Sequence, residues 1–137
     1  MADRQFHGME CQGTRHVTYN VAITLASGAP VFAQGDKIAS ASGAYLTLAD
    51  TGTGVITVTT VDPFLAVVSC QATRSMATPT GNALVTLGLP TQDSTTKKWS
   101  VTINTWTNSG GTHSAADIED DDLVNFTITL RNSERKP

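Results

Sequence analysis

The segment VITVTTVDPFLAVVSCQAT, residues 55–73, constrains the fold of this chain more than any other. Its first part, residues 55–61, alternates apolar side chains with threonines at a period of two, which predicts a strand with one buried face. Its second part, residues 64–73, begins with a run that is apolar on both faces and predicts a strand in the centre of a sheet. Pro63 has no N–H to donate to a ladder, so it marks the corner between them.

The same alternation recurs along the chain and predicts about seven or eight short strands. It is clearest in residues 16–25, 99–107 and 123–130. Thr is common whereas Leu, Lys and Glu are scarce, and this composition favours strands over helices. We therefore predict an all-β fold, either an antiparallel β-sandwich or a jelly-roll-like single domain. A small barrel is the third architecture that is compatible with strands at this spacing.

The 137 residues are enough for one domain with a sizeable core. Residues 1–15 follow no period and are predicted to form an extended N-terminal arm, followed by the β-domain at 16–133 and a short C-terminal tail at 134–137. Phe6 and Met9 make the arm apolar enough to dock on a neighbouring subunit, while a flexible arm without a partner is the alternative.

Charge and composition exclude several classes of function. The net charge is −3, and the nine Lys and Arg residues are spread along the chain, which argues against a nucleic-acid binder. No apolar run is as long as a membrane span, and the polar start MADRQFHGMECQ resembles no secretion signal, so the chain is expected to be made and used in a cytosol. Cys11 and Cys70 are then expected to be free thiols rather than a disulfide.

No motif indicates catalysis or metal binding. The acidic run at residues 117–122 offers ligands to Ca²⁺ but lacks the spacing of an EF-hand loop, so a solvated loop or a short helical turn is favoured. His7, His16 and His113 lack the paired short spacings of a zinc site. No Gly-x-Ser-x-Gly elbow is present. We predict a protein that is not an enzyme and that needs no cofactor or metal.

The tryptophans are predicted to lie on opposite faces of one strand. Trp99 shares its face with the apolar Val101 and Ile103, whereas Trp106 has the opposite parity. Trp is enriched in the hot spots of interfaces, so an exposed Trp106 would be an anchor for a partner. The alternative, that a second sheet covers Trp106, is left open by the sequence.

Three segments resemble a group of small proteins encoded in the structural gene clusters of tailed bacteriophages. They are DKIAS at residues 36–40, TGTGVITV at 51–58 leading to DPF at 62–64, and DLVNFTITLRNS at 122–133. The closing LRNS at 130–133 is the most distinctive match. Ile56 departs from the group, in which an aromatic residue is usual at this position.

The resemblance implies a non-enzymatic virion component, most like the decoration (cement) proteins that bind the outside of the capsid. The expected partners are the major capsid protein and further copies of the chain, as a homotrimer, with no nucleic acid or membrane. The expected location is the capsid surface, after synthesis in the cytoplasm of the host bacterium.

Position and residue type select the residues expected to contact a partner. These residues are Arg4, Phe6, His7, Met9, Trp106, Arg131 and Arg135. Two other functions share the predicted fold and stay open: a carbohydrate-binding or host-adhesion module, and a tail or connector component of the phage.

Overall fold

The computed structural model describes residues 14–33, 45–78, 83–119 and 121–134. The predicted arm, up to residue 13, and the last three residues of the predicted tail lie outside these ranges. Within them the regular structure consists of strands, and no helix is present in the described part of the chain.

Ten strands lie within the described residues. They are β1 (Thr14–Ala26), β2 (Ala29–Phe32), β3 (Leu46–Gly52), β4 (Val55–Thr60), β5 (Ala66–Ser75), β6 (Ala83–Leu87), β7 (Thr91–Gln92), β8 (Trp99–Ser109), β9 (Thr112–Ala115) and β10 (Leu123–Glu134).

The strands form two antiparallel sheets that face each other. Sheet A has the order β2-β1-β10-β5, and sheet B has the order β3-β4-β8-β6, with β7 and β9 also pairing with β8. Every strand pair in both sheets is antiparallel. The predicted fold class, an all-β antiparallel sandwich, is confirmed.

Alternate residues of the long strands point into the space between the sheets and form one apolar core. Sheet A contributes Val21, Ile23, Val124, Phe126, Ile128 and Leu130, and sheet B contributes Leu46, Ile56, Val58, Val101 and Ile103. Burying each of these side chains stabilises the fold by roughly 1.5–3 kcal/mol relative to leaving it exposed. The residues that alternate in the sequence are therefore those that point into the core and those that point to the outer face of each sheet.

The segment at residues 55–73 does not lie in one sheet. β4 is an internal strand of sheet B, as its alternation predicts, but β5 is at the edge of sheet A, so the prediction of a second central strand was wrong. Part of the apolar run stays exposed: the pairing of β5 with β10 shifts register between Thr129 and Leu130, and Val68, next to that shift, is 51% exposed. Pro63 lies where the chain crosses from one sheet to the other.

Gly54 occupies a tight position against the backbone of neighbouring segments. Its φ is +68°, its N–H donates to Asp117 Oδ1 at 2.6 Å, and its carbonyl accepts from the Thr105 N–H at 2.8 Å. A Cβ at this position would lie 2.6 Å from the Thr105 carbonyl oxygen and 2.8 Å from the Ala116 nitrogen. These are backbone atoms held by the β8 and β9 pairing, so they cannot move aside cheaply.

Replacing Gly54 with Ala is expected to lower the free energy of unfolding by about 3 kcal/mol, since overpacking and left-handed backbone strain each cost about 1–2 kcal/mol. Gly110→Ala is the matched control, because Gly110 has a φ of +61° and open space where a Cβ would go. The control variant should lose only the unfolding free energy that corresponds to backbone strain, about 1 kcal/mol. Urea unfolding of both variants measures the difference, and equal losses would contradict the close packing of Gly54.

Three aromatic rings meet where Tyr19 of β1 contacts Tyr45, the residue before β3, on the flank of the sandwich. Tyr19 stacks on Tyr45 with ring centres 5.4 Å apart and meets Phe64 edge-on at 6.3 Å. Burial raises the pKa of the Tyr19 hydroxyl, and the negative charges of Asp62 and of ionised Tyr45 raise it further. The neutral form of Tyr19 is therefore the one that the folded state prefers.

This preference predicts a loss of stability at high pH. Because the folded pKa of Tyr19 is above the usual 10.0, its contribution is complete below pH 10 and disappears as the pH rises through the raised value. Tyr19→Phe, which keeps the ring and removes the ionisable group, should weaken the fall in unfolding free energy as the pH rises above 10. If the unfolding free energy of the variant falls as steeply as that of the natural chain, Tyr19 does not contribute to the pH dependence of stability.

Candidate functional site

The outer face of sheet B is organised by β8, an eleven-residue strand that pairs with β4, β6, β7 and β9. Val101, Ile103 and Thr105 point into the core and are buried. The intervening residues point outward, away from sheet A. The surface formed by the outward-pointing residues of sheet B is called here the sheet B outer face.

The sheet B outer face carries no Asp, Glu, Lys or Arg on its described strands. Its central members are Thr47, Ala49, Thr51, Val55, Thr57, Thr59, Leu84, Thr86, Ser100, Thr102, Asn104 and Trp106. Lateral hydrogen bonds join hydroxyls of neighbouring strands: Thr51 and Thr57 are 2.9 Å apart, and Thr59 and Ser100 are 3.0 Å apart. The result is an uncharged surface of hydroxyl, amide and methyl groups.

Trp106 is the large aromatic residue of this face. It lies opposite Leu84, which is 44% exposed, and its indole N–H donates to Thr86 Oγ1 at 3.0 Å. The bond satisfies the polar end of the ring and fixes its orientation, so the half-buried ring and Leu84 form an apolar patch in an otherwise polar face. Sheet A packs on the opposite side of β8, so it does not cover Trp106.

Trp99 belongs to the other face of β8, as its parity predicts. It packs against the core, its indole N–H donates to the Phe64 carbonyl at 2.9 Å, and its backbone N–H donates to Thr60 Oγ1 at 3.0 Å. Trp99 therefore fastens β8 to the corner that follows β4, whereas Trp106 is left at the surface.

Arg131, another predicted contact residue, does not lie beside Trp106. Arg131 is half-buried on the outer side of sheet A, where it lies opposite His16 of β1 and Ala66 of β5. Arg4, Phe6, His7, Met9 and Arg135 lie outside the described residues. Leu84 and Thr86 were missed by the sequence analysis, because their position beside Trp106 depends on the register of β6 with β8, which no local pattern reveals.

The acidic run is partly structural rather than fully solvated. Asp122 is 1% exposed, and its Oδ2 accepts from Arg74 Nε at 3.0 Å and Nη2 at 2.5 Å, while its Oδ1 accepts from the Ala77 N–H at 3.1 Å. Asp117 accepts from Gly54 as described above. Within the described ranges, no group of three or more His, Cys, Asp or Glu side chains could hold a metal ion.

An open cavity of about 360 Å³ lies next to this ion pair. It is lined by Ser75, Met76, Ala77, Asp121 and Leu123. The lining combines one carboxylate with small and apolar groups, a composition that selects no particular ligand.

Comparison with protein-family models, curated proteins and solved structures found no match. The described residues contain no helix long and apolar enough to cross a membrane. The functional argument therefore depends on the chemistry of the surfaces themselves.

Asp122→Ala is expected to lower the free energy of unfolding by about 3–5 kcal/mol, because it leaves the Arg74 guanidinium buried without its counter-charge. The double variant Arg74→Met with Asp122→Leu removes both charges and should recover most of that loss. Chemical denaturation of the single and double variants measures the coupling. A loss below about 1 kcal/mol in Asp122→Ala would mean that the pair behaves like an exposed one.

Proposed function

We propose that this chain is a non-enzymatic structural protein of a tailed-phage virion, which decorates and stabilises the capsid exterior by docking the sheet B outer face on the major capsid protein. The single observation that carries the docking surface is the patch of Trp106 and Leu84 in a face without charged side chains. The phage assignment is supported by the resemblance of residues 36–40, 51–64 and 122–133.

The chemistry of the face suits a protein partner. Charged residues are depleted at the centres of protein interfaces because burying them costs desolvation energy, whereas aromatic residues are enriched there. On the sheet B outer face, hydroxyl and amide groups can bond to a partner, and Trp106 with Leu84 supplies apolar area. A capsid repeats its surface many times, so a contact of modest strength per copy is enough for dense decoration.

The proposal is tested by co-sedimentation with capsids that lack the protein. The natural chain should sediment with the capsids and raise their melting temperature. Trp106→Ala should weaken binding by about 2 kcal/mol or more, which is roughly thirtyfold in Kd, since a central aromatic anchor of an interface contributes at least this much.

Tyr45→Ala is the matched control, because it also removes an exposed aromatic ring but from the flank of the sandwich. It should bind as the natural chain does. If Trp106→Ala binds as tightly as the natural chain, the sheet B outer face is not the docking surface. If the natural chain does not bind capsids at all, the capsid is not its partner.

Carbohydrate binding is the second candidate, and the same face favours it. An aromatic ring beside hydroxyl and amide groups, here Trp106 with Thr86 and Asn104, is the combination that orients a polar, uncharged ligand. Titration of the isolated protein with a panel of glycans, followed by Trp106 fluorescence, distinguishes the two functions. Saturable quenching that Trp106→Ala abolishes would favour the carbohydrate-binding function over capsid decoration.

A further inference from the structure

β5 forms one edge of sheet A. Its ten residues pair with β10 on one side, and no described strand of sheet A pairs with the other side. An unpaired edge offers a row of backbone N–H and C=O groups to another strand. This edge is separate from the sheet B outer face, and the inference drawn from it does not depend on the proposed function.

Natural sheets protect their edges with charges, proline or short strands. Such protection is present elsewhere in this fold: β2 has four residues and contains Pro30, β3 carries Asp50, and β6 has five residues. From residue 65 to residue 73, by contrast, the chain has no charged residue and no proline. Leu65 and Val68 are 49% and 51% exposed there. The protective features of this edge are the register shift at Val68 and the single charged residue Arg74 near the end of β5.

We infer that β5 pairs antiparallel with β5 of a second copy across a twofold axis. A partner strand of similar length satisfies a ten-residue edge best, and the edge strands β2, β3 and β6 are shorter. Residues 66–73 of β5 carry no charge and Arg74 is neutralised by Asp122, so two copies of the strand meet without repulsion, and a twofold axis makes the contact self-complementary. Exposed apolar side chains such as Val68 would be covered in the pair.

The charges at the two ends of β5 support the antiparallel direction. Arg131 lies opposite Ala66, at the start of β5, whereas Leu123 lies opposite Ser75, at its end, close to the exposed carboxylate of Asp121; Asp122 adds no net charge there, because Arg74 neutralises it. Antiparallel pairing brings the Arg131 end of each copy alongside the Asp121 end of the other. Parallel pairing would place like charges together at both ends and is disfavoured.

The pair would join the two copies of sheet A into one eight-stranded sheet. The sheet B outer face of each copy would stay free, so a dimer would present two Trp106 patches and gain avidity on a repeated surface. This twofold assembly differs from the trimer that the phage resemblance implies, and the mass in solution separates the two.

The first test is light scattering on the natural chain and on two matched variants. The natural chain should have the mass of a dimer. Val68→Lys places a charge on this edge and should give a folded monomer, since Val68 is half exposed and its side chain is not part of the core. Val31→Lys, on the edge strand β2 where Val31 is 37% exposed, should remain a dimer. A monomeric or trimeric natural chain, or a dimer that Val68→Lys leaves intact, would overturn the inference.

The second test locates the contact by disulfide formation and does not depend on the behaviour of Val68→Lys. In a background of Cys11→Ser and Cys70→Ser, single cysteines replace Ser69, Gln71 or Thr73, which point outward along β5. Near a twofold axis a residue meets its own copy, so at least one variant should form a covalent dimer with a mild oxidant. Thr18→Cys, in β1 on the same outer side of sheet A, is the matched control. Dimers that form equally with Thr18→Cys would also overturn the inference.

Discussion

The alternation of buried and outward residues in β8 and β10 is the constraint on which the structure depends. Each strand lies inside its own sheet, and its inward residues form the centre of the core. A shift of one residue in either register would move this apolar set to the surface. The same alternation leaves Trp106 outside, since it has the parity opposite to that of Val101 and Ile103.

Charge is kept away from one broad face of the sandwich. The sheet B outer face carries none on its described strands, and carboxylates collect in the segment that precedes β10, where Asp122 is neutralised by Arg74. An uncharged face can contact another protein without the cost of desolvating ions. This separation is why we propose that the function of the chain resides on its surfaces rather than in a cavity.

The sequence predicts the fold class because burial on one face leaves a clear period of two in β1, β4, β8 and β10. It fails for β5, where exposed apolar residues at an edge look like those of a central strand. It also misses β9, whose hairpin depends on the positive φ angles of Gly110 and Gly111 in a Gly/Ser-rich segment.

The candidate site could be predicted only in part, for a related reason. The face of Trp106 follows from parity within one strand, but its neighbours Leu84 and Thr86 come from another strand and depend on register. The pairing of Arg74 with Asp122 spans 48 positions of the chain. Local patterns carry no information about such distant partners.

Hydroxyl-radical footprinting of the protein, alone and bound to capsids that lack it, tests the central claim most directly. The account predicts that oxidation of Trp106 falls sharply on binding while that of Trp99, which is packed against the core, stays the same. Binding that leaves the oxidation of Trp106 unchanged would contradict it, because the capsid would then contact another surface of the sandwich.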